Sequence, residues 1–156
     1  MDERADLVIS QQVFEARRSD GQTIHCVYDY AYPTDPVVVV VPTFEATARH
    51  NAMLSRFLLG LGLSSMRFDF TNHVGCSSGE IINFTLTSAY HDLDAVLAFL
   101  RDGPLEFTAD LAIISSSLGT RVCLRYLADY PEAADFHVSL LGVVDAGHTI
   151  KIATGW

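Results

Sequence analysis

Basic residues are scarce in this chain: ten Lys and Arg stand against nineteen Asp and Glu, a formal net charge of −9. Phosphate backbones are held by clustered cations that displace counterions, so nucleic acid is excluded as a partner class. Cysteine is scarcer still. Cys26, Cys76 and Cys123 are odd in number, widely spaced and free of any CxxC pair. That argues against a disulfide framework and a metal knuckle, and leaves each thiol as a small buried or half-buried side chain in a reducing cytoplasm. No cofactor and no metal site are expected.

Long apolar runs are missing too. The longest aliphatic stretch, Val37 to Val41, is far short of the roughly 20 residues a membrane helix needs. The opening residues Met1-Asp2-Glu3-Arg4-Ala5-Asp6 lack the cationic-then-apolar order of a secretion signal. Repeats, low-complexity tracts and linkers are likewise absent, so the expectation is one domain over 1–156.

What is present suits a compact globular protein, with 49% hydrophobic and 19% charged residues. Val13 to Ala16 and Thr23 to Tyr30 read as strands around the turn Ser19-Asp20-Gly21, which predicts a β-hairpin. Val37 to Val41 is β-branched on both faces and reads as a central parallel strand, ended by Pro42.

Beyond it the pattern alternates. Arg49 to Gly60 is helical by the spacing of Met53, Leu54, Phe57, Leu58 and Leu61. Met66 to Phe70 is a strand and Thr71 to Gly79 a polar loop. Ser88 to Arg101 is a helix with Leu93, Val96, Leu97 and Leu100 on one face. Leu111 to Ser115 is a strand, Leu118 to Tyr130 a helix stopped by Pro131, and Val138 to Val144 the last strand. Repeated β-loop-α units of this length predict an α/β fold, a mostly parallel sheet with helices on both faces.

The chemistry concentrates in Leu111-Ala112-Ile113-Ile114-Ser115-Ser116-Ser117-Leu118-Gly119. A buried strand runs into small-x-Ser-x-Gly and a helix follows at once, the pattern of a nucleophile elbow. Such a turn is tight and strained, so the positions two before and two after the serine must be small. The helix start sets free amides and positive dipole beside the serine, ready for a developing oxyanion. Leu118 would supply one donor. The second should come from the loop after the central strand, Pro42-Thr43-Phe44-Glu45-Ala46, where Phe44 is best placed. Two plainer readings stand beside these: Ser117 as a structural helix cap, and an ordinary loop whose Phe44 packs on the core.

Phe68-Asp69-Phe70, then Asn72-His73-Val74-Gly75-Cys76-Ser77-Ser78-Gly79, Phe84-Thr85-Leu86-Thr87, the Ser117 turn and Gly142-Val143-Val144 together resemble the acyl transferases of bacterial bioluminescence operons. The likeness runs from about Gly21 to the C-terminus, and the His-Val-Gly-x-Ser-Ser-Gly loop is its most specific part. The resemblance implies an α/β hydrolase with a Ser-His-Asp triad that takes a fatty acyl group from a thioester of acyl carrier protein or coenzyme A. It matches Ser117 to the nucleophile, and Leu118 and Phe44 to the oxyanion positions. Family members usually carry Gly before that Phe, where this chain has Thr43.

In this fold the acid and the histidine follow the serine along the chain, and no residue here matches either. The expectation is an incomplete domain whose exposed sheet requires a second chain or a homodimer. Asp145 and His148 are the only acid–histidine pair beyond the turn in the right general region, and they are too close together to flank the serine from separate loops. His73 is expected to make a loop-organising hydrogen bond. His91, Asp92 and Asp94 are expected on a solvated helix surface, and His25, His50 and His137 have no local partner. A carboxylesterase of the same fold and a non-catalytic binding domain remain alternatives to the acyl transferase.

Overall fold

The computed structural model describes residues 10–32, 34–103 and 110–142. Gly21, at φ +87°, provides the left-handed turn that folds β1 (Ser10–Arg17) antiparallel onto β2 (Thr23–Tyr30). β2 in turn pairs antiparallel with β4 (Ser64–Phe68). From there the sheet is parallel: β4 beside β3 (Val37–Val41), β3 beside β5 (Leu111–Ser117), and β5 beside β6 (Phe136–Gly142). The strand order is β1-β2-β4-β3-β5-β6.

β3 is central, and all five valines are buried. Successive side chains of a strand leave opposite faces. Val37, Val39 and Val41 therefore enter the larger core, with Leu93, Leu97 and Leu100 of α2 (Leu86–Asp102) and Tyr126 of α3 (Leu118–Asp129). Val38 and Val40 face the other way, onto Leu58 of α1 (Ala52–Gly60). Helices thus cover both faces, as the alternating pattern predicted. α2 begins before Ser88 because the Thr85 hydroxyl accepts the Ser88 amide at 3.0 Å, an N-cap that the apolar spacing did not reveal. Among the described residues no helix is long and apolar enough to cross a membrane.

Three readings need correction. α1 starts at Ala52 rather than Arg49, and it buries Ser55, Leu58 and Leu59. Met53, Phe57 and Leu61 of the expected apolar face form an exposed stripe instead. The helix is rotated because the Ser55 hydroxyl reaches in to Asp29 at 2.6 Å and to Ser65. Cys76 is exposed, unlike the other two cysteines, since it sits in a turn outside the sheet. Asp92 is completely buried; its partners are described below. The last strand is described over Phe136–Gly142, and Val143, Val144, Asp145 and His148 lie outside the described residues. β6 pairs with β5 and exposes Phe136, Val138 and Leu140.

Candidate active site

β5 extends two residues beyond Ser115 and ends on Ser117, at φ +47° and ψ −119°. Few residues with a side chain adopt such a backbone, and its cost is of order 1–3 kcal/mol. α3 begins at Leu118. Ser117 holds the N-cap position, yet its hydroxyl makes no capping hydrogen bond. The side chain is therefore not consumed in starting the helix.

Both flanking small residues have a visible reason. The Ser115 hydroxyl is buried and lies 2.7 Å from Nε2 of His137 and 3.2 Å from Oγ1 of Thr120, which in turn meets Ser139 at 3.0 Å. A polar ladder thus ties β5, α3 and β6 beneath the turn, and His137 has a partner after all. A side chain at Gly119 would place its Cβ 2.6 Å from the carbonyl oxygen of Pro42 and 3.2 Å from Val41. The first turn of α3 is packed directly on the end of β3. That contact brings the Leu118 amide and the Pro42–Ala46 loop to one edge of the sheet.

The loop is itself held from beneath. Glu45 adopts φ +61° and donates its amide to Nε2 of His73 at 3.2 Å. This is the loop-organising bond expected of His73, and it assigns the ring proton to Nδ1, which has no partner among the described residues. Burial pushes the His73 pKa below its ordinary value, against the opposing pull of Glu45 and Asp69, so the ring is neutral near pH 7. The half-exposed ring of Phe44 packs on His73 at 5.0 Å and on Phe84 at 5.9 Å. It caps an aromatic cluster rather than entering the core.

Asp69 fixes the same loop from its other end. One carboxylate oxygen accepts the Ala48 amide at 2.6 Å and the other the Cys76 amide at 2.7 Å. Arg67 adds a bond to the Ala48 carbonyl while pairing with buried Asp29 at 2.6 Å. The turn after β3 and the turn after β4 are thereby one hydrogen-bonded unit.

Asp92, expected at the surface, accepts from the Thr71 amide at 2.8 Å, from the Thr71 hydroxyl, and from Arg18 at 3.0 Å. Burial raises its carboxyl above the usual range, against the lowering by Thr71 and Arg18. Asp94 is drawn inward by the Tyr126 hydroxyl at 2.7 Å, and His91 is exposed as expected. An open cleft of about 640 Å³ lies between the two helices, lined by Leu86, Tyr90 and His91 of α2 and Arg121, Val122 and Arg125 of α3.

Residues 29–156 match the family model described as acyl transferase. The chain belongs to the acyl transferase family. Similar members include the acyl transferases of Aliivibrio fischeri, 31% identical over 74% of this chain and 36% of that protein, and of Vibrio harveyi, 29% identical over 90% of this chain and 46% of that protein. The chain spans about a third to just under half the length of these relatives. Among solved structures, the esterase Est1E of Butyrivibrio proteoclasticus superposes with a TM-score of 0.78 at 18% identity, over 89% of this chain and 56% of that one. The Pyrococcus furiosus esterase Pf2001 gives a TM-score of 0.76 at 22% identity, over 98% and 57%. The chain therefore has the α/β-hydrolase fold, as the sequence resemblance implied.

Of the expected site residues, Ser117, Leu118 and Phe44 all lie at or just beyond the C-terminal ends of the adjacent parallel strands β5 and β3, at one edge of the sheet. Sequence reasoning missed Asp69 and Asp92 as the anchors of the loop after β4. Asp69 carried one linear signal, an acidic residue between Phe68 and Phe70, whereas Asp92, with His91 and Asp94 beside it, carried none.

Proposed function

We propose that this chain carries the nucleophile and oxyanion hole of a serine acyl transferase acting on a fatty acyl thioester. The observation that carries the reading is Ser117 itself: an uncapped hydroxyl on a strained strand-to-helix turn, with Gly119 pressing the helix start against Pro42. Strain at such a turn is kept where the surrounding structure over-determines it, and such positions cluster at functional sites.

In the proposed reaction a histidine base takes the Ser117 proton while Oγ attacks the thioester carbonyl. The amides of Leu118 and Phe44 receive the oxyanion, each worth roughly 3–4 kcal/mol of barrier. The C–S bond breaks, the thiol leaves with the proton, and water or another acceptor then attacks the acyl-serine. The base and its acid are not assigned to described residues. The cleft between α2 and α3 supports a thioester donor, since apolar Leu86 and Val122 adjoin the cations Arg121 and Arg125. The exposed Phe136, Val138 and Leu140 of β6 are proposed to be covered by further polypeptide, a second chain or a second copy.

A fluorophosphonate tests the reading. We expect one adduct per chain on Ser117, located by intact mass and peptide mapping, and none on Ser117→Ala. A folded sample that stays unmodified would overturn the assignment. Preference for a long-chain acyl thioester over a short ester separates the acyl transferase from a carboxylesterase.

A further inference from the structure

Residues from two separate segments, His25 on one side and the Asp69–Cys76 turn on the other, converge on the α1 side of the sheet. The ligand atoms of His25 on β2, Asp69 just after β4 and Cys76 in the following turn all lie within 4.8 Å of one another. They line a pocket of about 380 Å³ that opens to solvent, so an ion has a way in. We propose that His25, Asp69 and Cys76 form a binding site for a borderline-soft divalent cation of the zinc class.

The donor set selects the ion. One imidazole, one thiolate and one carboxylate suit zinc-like cations, whereas calcium and magnesium take oxygen ligands alone. Tetrahedral coordination at usual zinc bond lengths separates donors by roughly 3.4 Å. Rotation of the exposed Cys76 side chain closes the remaining gap. Three protein ligands leave one position for water.

The site is preformed by backbone ties. Asp69 donates its amide to the His25 carbonyl at 3.0 Å, His25 donates its amide to the Ser77 hydroxyl at 2.8 Å, and the Cys76 amide is bound to the Asp69 carboxylate. The second carboxylate oxygen is oriented by Ala48. Each oxygen keeps a lone pair for an ion, and such orienting bonds are what metal-ligating carboxylates ordinarily have. Gly75 is needed for this approach, because a Cβ there would fall inside the Asp69 carboxylate. Arg67 also lines the pocket, with its charge matched by Asp29. Arg49 is exposed on the rim and is the one cation that faces the site unpaired among the described residues. Binding displaces the Cys76 thiol proton to solvent, and no oxidation or reduction is involved.

The cysteine inventory makes the test clean. Cys26 and Cys123 are buried, and burial pushes both thiols up to about 12, so neither competes as a thiolate ligand. Titration of the reduced 156-residue chain with Co²⁺ should give a sulfur-to-cobalt charge-transfer band that saturates at one equivalent and is abolished by Zn²⁺. Cys76→Ser should abolish the band, and His25→Ala should weaken Co²⁺ binding at least about tenfold, both with unchanged circular dichroism. Absence of the band in the native chain, or its survival in Cys76→Ser, would overturn the site. Because the readout is spectroscopic, failure of the Ser117 assignment leaves this result standing, and the reverse holds equally.

Discussion

The Glu45 amide donates to Nε2 of His73 across 3.2 Å, so a neutral imidazole supports the loop that presents Phe44. An imidazolium cannot accept that bond. Burial lowers the folded pKa of His73, and also that of His137 beneath Ser115. The unfolded chain takes up these protons first, near pH 6.5. The stability they secure is present above that value and is lost as the pH falls through the lower folded values. Urea melts at pH 7.5 and pH 5 should show the acid loss, and His73→Gln, which keeps an acceptor for Glu45, should reduce it. An unchanged pH slope in both His73→Gln and His137→Gln would contradict the assignment.

Asp92 should behave oppositely. Its carboxyl is raised by burial, so the folded state takes up that proton before the unfolded one, and its linkage favours folding as the pH falls and weakens as it rises through the folded value. Removing the side chain is another matter. Asp92→Ala leaves the Thr71 amide without its acceptor and Arg18 without its buried carboxylate, and breaking a buried ion pair costs about 3 kcal/mol. Chemical denaturation at pH 7 reads this directly.

Gly119→Ala should be poorly tolerated although helices favour alanine. The added methyl meets the Pro42 carbonyl at 2.6 Å, and overpacking of this kind costs about 1–3 kcal/mol. Separation of α3 from β3 also moves the Leu118 amide relative to Phe44. The variant should lose fluorophosphonate reactivity beyond what its lower melting temperature explains.

Ser117→Gly should melt higher than the native chain. Glycine relieves the φ +47° strain, worth of order 1–3 kcal/mol, and gives back about 1 kcal/mol in unfolded-state entropy. Ser117→Val should melt lower. Equal melting temperatures for the two would mean that the turn is unstrained.

The architecture was legible because β3 and α2 announce themselves locally, five valines in one case and Leu93, Val96, Leu97 and Leu100 in the other. The Ser117 turn was legible because its demand for small neighbours is also local. The face of α1 was not. Met53 and Phe57 have helical spacing, but a hydroxyl bond from Ser55 to Asp29 decided the rotation. Asp69 and Asp92 were misread or passed over for the same reason: their partners, Ala48, Thr71 and Arg18, come from other segments. The convergence of His25 with Cys76 is likewise invisible in spacing, since it arises only when β2 pairs with β4.

The contact between Gly119 and Pro42 joins the start of α3 to the end of β3 across a long stretch of chain. The strained turn cannot be held until both strands have docked, so loop-closure entropy is met before the serine acquires its geometry. Reactivity at Ser117 should therefore be among the last properties to return on refolding, trailing the recovery of helical signal. A peptide spanning 111–129 alone would relax to ordinary backbone and react as any serine does.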